Sequence, residues 1–337
     1  MPLQPQLSIV LPTYNRCDGL PGAILSALDQ SAPADAYELV VVDNRSTDGT
    51  REVLDDLARR HRGRLRPIFA ARQGVSHARN AGIDAARAPL VAFCDDDVRV
   101  SRHWVETILR LFSTDEHLEC VGGKVLPAWS IPPPRWLTTK HWAPLALQDY
   151  GDHSFYVGPD NPRGLISANL ACRRKVFGRI GGFSPQFQRI KDGVGSIEDD
   201  EWIRRFWRAG GRGLYAPELV VTTEIPASRL TRAYHRRWHL GHGRFYALLR
   251  AEEIERTSIG SPFGVPAHLY RSALRDAACW VACTLAGRPD AAFLYETKFK
   301  FVVGFMRQRV CAAHQARPHL AFTQPVCHNR EGRGTPT

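Results

Sequence analysis

Two kinds of segment alternate along the first part of the chain. Leu7–Leu11 and Glu38–Val42 are short, nearly continuous apolar runs. The first is followed by Pro12-Thr13-Tyr14-Asn15-Arg16 and the second by Asp43-Asn44-Arg45-Ser46-Thr47-Asp48-Gly49-Thr50. Runs of this length bounded by turn residues read as buried strands. The helical period marks Leu20–Leu28, a segment opening near Thr50, and Gly74–Ala86. Leu65–Ala70 reads as a third strand. A fourth, from Pro89, runs directly into Phe93-Cys94-Asp95-Asp96-Asp97-Val98. Strands and helices alternating at this spacing predict a parallel, doubly wound α/β sheet, whose polar clusters at strand carboxyl ends converge on one cleft.

Further on, the pattern predicts a helix near Arg102–Phe112 and a strand near Leu118–Val125. Leu126–Arg163, rich in Pro, Trp and His, reads as an ordered excursion on the substrate side. Regular pattern resumes over Gly164–Cys172. Trp202, Ile203, Phe206 and Trp207 then form one helical stripe, stopped by Gly210 and Gly211 and preceded by Ser196-Ile197-Glu198-Asp199-Asp200-Glu201. Ser196 and Asp199 have the spacing of a capping box. Acids in a first turn complement the helix dipole by about 0.3 to 1 kcal/mol each. On this stretch alone capping is sufficient reason for them, although a carboxylate kept ionised there is also what a general base needs.

Charge changes the picture only near the C-terminus. Residues 1–228 hold 28 Lys and Arg against 27 Asp and Glu, whereas residues 229–337 hold 17 against 7, so the net charge of +11 is almost wholly a property of the last third. Such an excess suits an anionic surface or a phosphorylated substrate, or simply a solvated face. No recognised nucleic-acid module accompanies it, and no nucleic-acid partner is expected. Ala267–Leu285 and Ala291–Val310 alternate apolar residues with Arg and Lys; such helices either lie on an anionic membrane or pack on the rest of the protein. The eight cysteines form no C-x-x-C pair, which fits reduced thiols in a cytosolic protein. Met1–Gln6 lacks a basic region and Leu7–Leu11 is short, so no signal peptide is expected. Ala277–Gly287 falls well below the roughly 20 residues a bilayer span requires. His235, His239 and His242 share a helical spacing without a carboxylate companion, and no metal site is expected there.

Three adjacent carboxylates repel one another unless a hard cation or hydrogen-bond donors offset them. Alone, Asp95-Asp96-Asp97 reads as a solvated acidic turn. The company it keeps alters that reading. Pro12-Thr13-Tyr14-Asn15-Arg16, Val42–Thr50, Gly74-Val75-Ser76-His77-Ala78-Arg79-Asn80-Ala81-Gly82, Asp95-Asp96-Asp97 and Glu198-Asp199 stand in an order and spacing that resembles the family 2 inverting glycosyltransferases, over residues 7 to about 225.

The resemblance implies a GT-A fold: a Rossmann-like, mostly parallel sheet flanked by helices, here with a helical C-terminal extension. It implies transfer of a sugar from a nucleoside diphosphate sugar to an acceptor hydroxyl with inversion, in polysaccharide, glycolipid or glycoprotein assembly. Pro12, Tyr14, Asp43 and Asn44 would cradle the nucleotide base, Asn44 standing where many relatives carry an acid. Arg79 would approach the nucleotide, Asp95 and Asp96 would lie near the ribose, and Asp97 would bind Mn2+ or Mg2+. Asp199 would be the catalytic base. Glu198, Arg236, Arg237 and Trp238 would contact diphosphate or acceptor; for the arginine-rich helix a solvated face is the alternative. The implied acceptor is a glycan or a lipid-linked sugar, and the implied location is the cytoplasm, with peripheral contact at the inner membrane face. Two other readings stand beside this one. A non-catalytic relative would bind sugar nucleotide without turnover, and a nucleotidyltransferase would need a Gly-rich, Lys-bearing loop after the first strand, which is missing. The expected organisation is a catalytic domain over 1–228, divided near 125 into donor and acceptor halves, then a basic helical extension over 229–314 and a patternless, disordered tail over 315–337.

Overall fold

The computed structural model describes residues 4–188, 194–250, 252–255 and 262–315. Strand β1 (Leu7–Thr13), α1 (Leu20–Leu28), β2 (Tyr37–Asp43), α2 (Thr50–Arg60), β3 (Leu65–Phe69), α3 (Val75–Ala85) and β4 (Leu90–Phe93) follow one another as the apolar pattern predicts. The four strands pair in parallel in the order 3-2-1-4. Leu7, Ile9 and Leu11 enter one core with α1 and α2, while Val10 enters the opposite core with α3. Burial on both faces is why β1 and β2 read as unbroken apolar runs rather than alternating ones.

Beyond β4 the sheet changes character. It is completed by β5 (Val98–Val100), α4 (Trp104–Thr114), β6 (Cys120–Trp129), β7 (Phe155–Val157), β8 (Leu170–Arg173), α5 (Lys175–Ile180), α6 (Glu198–Arg208) and β9 (Gly213–Ile225). Strand β8 inserts antiparallel between β4 and β6, β6 and β9 are parallel, and β5 and β7 join β9 antiparallel. The reversal of β8 leaves no trace in its own residues, because Leu170, Ala171 and Cys172 are buried whichever way the strand runs. Strands β6 and β9 shift register between Gly122 and Lys124. A Cβ on Gly123 would sit 2.1 Å from the Leu219 carbonyl oxygen, so only glycine permits this approach. Buried Asn169 pins the same place, donating to the Lys124 and Leu219 carbonyls at 2.9 Å each and accepting from Trp104 Nε1 at 2.8 Å.

The basic C-terminal region forms a helical layer of α7 (Arg232–Leu249), the short α8 (Glu252–Glu255), α9 (Ala267–Leu285) and α10 (Pro289–Gln315). Helix α10 packs between α7 and α9. Its crossing with α7 brings backbone against backbone: a Cβ on Gly243 would lie 2.0 Å from the Phe301 carbonyl oxygen, and one on Gly304 2.0 Å from that of Leu240. Among the described residues no helix is long and apolar enough to cross a membrane. The tail expected from residue 315 lies, from 316 onward, outside the described residues.

Where α7 meets the Pro- and Trp-rich excursion, His235 is fully buried, edge-on to Trp136 at 5.0 Å and beside His141 and Phe293. Burial, with His239 and His141 nearby, pushes its imidazole down to about 4. Burial also pushes His242 down to about 4. The unfolded chain, with ordinary imidazoles near 6.5, therefore takes up protons that the folded chain refuses between those values. The contribution of these rings to stability is complete above about pH 6.5 and falls as pH drops toward 4. At about pH 5 His235 alone should account for a loss of about 2 kcal/mol. Urea denaturation at neutral pH and at that pH should show it, and His235→Phe should flatten the dependence. A pH dependence identical in the wild type and His235→Phe would contradict the buried, neutral state of this ring.

Candidate active site

The loops after β1, β2 and β4 and the start of α6 enclose a cleft of about 1070 Å³ at the carboxyl edge of the parallel strands, closed on its far side by α7. Pro12, Tyr14, Asn44, Arg79, Asp95, Asp96, Asp97, Glu198, Asp199, Arg237 and Trp238 all line it, so the structure gathers most of the candidates from distant parts of the chain.

The end of the cleft beside β1 and β2 is built from two tight turns braced on each other. Asn15 and Arg45 both hold left-handed backbone, at φ 51° and 65°. Such conformations in non-glycine residues persist only where surroundings fix them. Here Asn15 Oδ1 accepts from the Thr47 amide at 2.7 Å, and the Asn15 amide donates to Ser46 Oγ at 3.0 Å. Asn44 accepts from the Gly74 amide at 2.6 Å and donates to the Arg72 carbonyl at 2.8 Å, tying the β2 turn to the start of α3. Asp43 is not a lining residue. It is buried, accepts from the Ser46 amide at 2.9 Å and fixes the turn that presents its neighbours.

The acidic triplet is not a solvated turn. Thr13 Oγ1 donates to Asp96 at 2.8 Å, and the Tyr14 amide and Arg16 Nε lie at 3.4 Å. Burial and the neighbouring Asp97 carboxylate nevertheless raise Asp96 to about 6. Asp97 is raised as well, by burial and by Asp95, against the pull of Arg229 and Arg16. Those arginines stand at 3.7 and 3.4 Å, too far to satisfy the carboxylate fully. A hard divalent cation fits this donor set. Among the described residues no group of three or more His, Cys, Asp or Glu forms a cage, and Mg2+-like ions characteristically rely on one or two carboxylates, water and substrate phosphates instead.

Arg79 is the hub. Its buried guanidinium reaches Asp95 at 3.0 Å, Glu198 at 3.2 Å and Asp199 at 3.3 Å. Burial opposes its charge, but the three carboxylates outweigh that and hold its pKa above the ordinary value. Glu198 is raised by burial and by Asp199, with Arg79 opposing, and its Oε2 is buried with no hydrogen-bond partner. Asp199 uses its other oxygen to accept from the Ser167 amide at 3.0 Å and Ser167 Oγ at 2.9 Å.

Two expectations need correction. Ser196 and Asp199 do not form a capping box: Ile197 is the N-cap of α6, no side chain caps the helix, and the Asp199 carboxylate is turned across the cleft to Arg79 and Ser167. Arg236 does not reach the cleft, because Glu296 on α10 holds its guanidinium at 2.6 and 2.8 Å. The adjacent Trp238 does line the cleft, its ring stacked on His242 at 4.1 Å. Thr13, Ser167 and Arg229 carry no signal of their own along the chain, since each acquires its role only through a carboxylate brought from elsewhere in the fold.

A mixed α/β sheet with an acidic and basic cleft at the carboxyl edge of its parallel strands belongs to the class of open α/β folds that bind ligands at that edge. Comparison narrows the class: the model of Glycosyl transferase family 2 matches residues 8–181, and the chain belongs to that family, with the GT-A fold. An uncharacterised glycosyltransferase of Nostoc sp. strain PCC 7120 is 35% identical over 124 residues, 35% of this chain and 38% of that protein. A glucosyl-dolichyl phosphate glucuronosyltransferase of Haloferax volcanii is 24% identical over 229 residues, 65% of this chain and 69% of that protein. The fold matches a mannosyltransferase of Pyrobaculum calidifontis, solved with GDP-Man and Mn2+, with a TM-score of 0.56 and 21% identity across 93% of this chain and 87% of that one. The chain thus spans about two fifths of the Nostoc relative and most of the other two.

Proposed function

We propose that this protein transfers a glycosyl group from a nucleoside diphosphate sugar to an acceptor hydroxyl in glycan biosynthesis, with inversion at the anomeric carbon. The observation that supports this reading is the Arg79 bridge, which holds Asp95 at 3.0 Å and Asp199 at 3.3 Å on one guanidinium, so that the acidic triplet and the α6 carboxylate lie close together in the cleft. Pro12, Tyr14 and Asn44 would receive the nucleotide base and Asp95 and Asp96 the ribose, with Asp43 shaping the turn. Asp199 would take the proton of the acceptor hydroxyl as its oxygen bonds to the anomeric carbon; the bond from that carbon to the diphosphate breaks in the same step, and the nucleoside diphosphate departs. Asp97 would hold Mn2+ or Mg2+, which supplies charge neutralisation to the leaving diphosphate. Arg229 and Arg237 add cationic groups to the same cleft. Apolar and aromatic side chains on the far side, among them Trp142, Leu147, Tyr150 and Trp238, suit a sugar ring or the proximal part of a lipid-linked acceptor. The lipid-linked acceptor in the name of the Haloferax relative and the GDP-Man and Mn2+ bound by the Pyrobaculum enzyme support these assignments.

Titration calorimetry of UDP and GDP with and without Mn2+ tests the donor half. Affinity should rise at least about tenfold with metal, and Asp97→Asn should remove that gain while leaving metal-free binding within about twofold. Equal affinities with and without Mn2+ in the wild type would remove Asp97 from the metal role. The anomeric configuration of the product, read by NMR once a donor is found, tests inversion.

A further inference from the structure

The sequence leaves both C-terminal amphipathic helices open to either packing or membrane contact, and the structure separates them. Helix α10 spends its apolar side chains inside the protein: Phe293, Val302 and Phe305 are buried. Helix α9 is apolar on two sides. Leu269 and Ala273 join the core of the helical layer, whereas Leu274, Val281 and Leu285 are 74%, 56% and 83% exposed. With the exposed Ala278, these three recur at intervals of four, three and four residues, which is one continuous helical face about 16 Å long. Arg271 and Arg275, both exposed, run along one border of that face. The only acid between residues 267 and 288 is Asp276, which is 3% exposed and whose Oδ1 accepts from Arg275 at 3.2 and 3.3 Å, so Arg275 already has one acidic partner on its own helix.

We propose that the outer face of α9 docks this protein on an anionic lipid bilayer, the leucines and valine entering the acyl boundary and the arginines pairing with acidic headgroups. Charge decides between a bilayer and a second copy of the chain. A two-fold interface would set this face against itself, bringing the arginine borders together with one buried acid per copy, Asp276, already engaged by Arg275, to offset them. An anionic bilayer accepts the apolar row and neutralises the arginines together. Position in the fold agrees with this. Helix α9 is outermost, separated by α10 from the α7 wall, so docking leaves the cleft open. The proposal does not depend on the transferase reading, and its test does not use turnover.

The full chain should co-sediment with mixed phosphatidylcholine and phosphatidylglycerol vesicles at low salt and remain in the supernatant with phosphatidylcholine alone. Combining Leu274→Glu, Val281→Glu and Leu285→Glu should lower partitioning at least about tenfold, and Arg271→Ala or Arg275→Ala about fivefold each. Because these side chains face outward, the melting temperature of the triple variant should match the wild type within about two degrees. Sedimentation equilibrium should show a monomer in both. Failure to bind the anionic vesicles, undiminished binding by a folded triple variant, or a wild-type dimer that the triple substitution dissociates would each overturn the proposal.

Discussion

Asp199→Asn should reduce kcat by about 10² to 10⁴ while leaving nucleotide binding within a factor of about two, the range expected when a general base loses its proton-accepting oxygen. The substitution is nearly isosteric. The amide oxygen can still accept from Ser167, leaving the amide nitrogen beside Arg79, where it can no longer meet the cation's charge. A destabilisation of about 1 to 3 kcal/mol is therefore expected from the weakened pair, without loss of fold. Ser167→Ala provides the control, because it removes one donor to the carboxylate and keeps the base; its effect on turnover should be far smaller. If Asp199→Asn turns over at near wild-type rates, or if nucleotide affinity falls in step with turnover, Asp199 serves the architecture of the cleft and not proton transfer.

The largest effect on stability should come from Arg79→Met. Removing the cation leaves Asp95, Glu198 and Asp199 facing one another, Glu198 buried and the other two partly exposed. Breaking one side of a buried ion pair typically costs about 3 to 5 kcal/mol. The pH dependence identifies the cause. Burial and Asp199 already raise Glu198 against the pull of Arg79, so without that cation it should bind a proton more readily folded than unfolded, and the stability gap between variant and wild type should narrow as pH falls from neutrality. Arg79→Lys should recover only part of the loss, since an ammonium on a single stem cannot reach three carboxylates in the guanidinium's geometry. Urea denaturation of all three proteins at two pH values measures this; a gap below about 1 kcal/mol at neutral pH would mean that water already meets most of the charge.

Much of the first half of the sheet is legible in the amino-acid sequence. The strands β1 to β4 are short apolar runs, β1, β2 and β4 buried on both faces, and the candidate residues sit in the polar segments that close them, so the edge on which they converge follows from the alternating pattern. The carboxylates stand out because three adjacent acids after a buried strand call for an explanation. The later strands are harder to read. Strand β9 is interrupted by Pro217 and shows no clean period, and the pairing of β8 depends on partners that its own residues do not specify. Side-chain partnerships are equally hidden. Ser196 has the spacing of a cap, yet the competition for Asp199 is won by Ser167 and Arg79, which the sheet brings across the cleft. Arg236 and Arg237 look equivalent along the chain; Glu296, on another helix, decides which of them is spent inside the layer.

The backbone contact between α7 and α10 ties two distant positions into one unit of inheritance. Any side chain larger than hydrogen at Gly243 or Gly304 would push the two helices apart and draw Trp238 and His242 away from the cleft they help to enclose. The cleft wall formed by α7 can thus diversify at its tips, through residues such as Arg237, while the spacing of its supports stays fixed. A lineage of such proteins can change the chemistry of this side of the cleft without altering how the wall is hung.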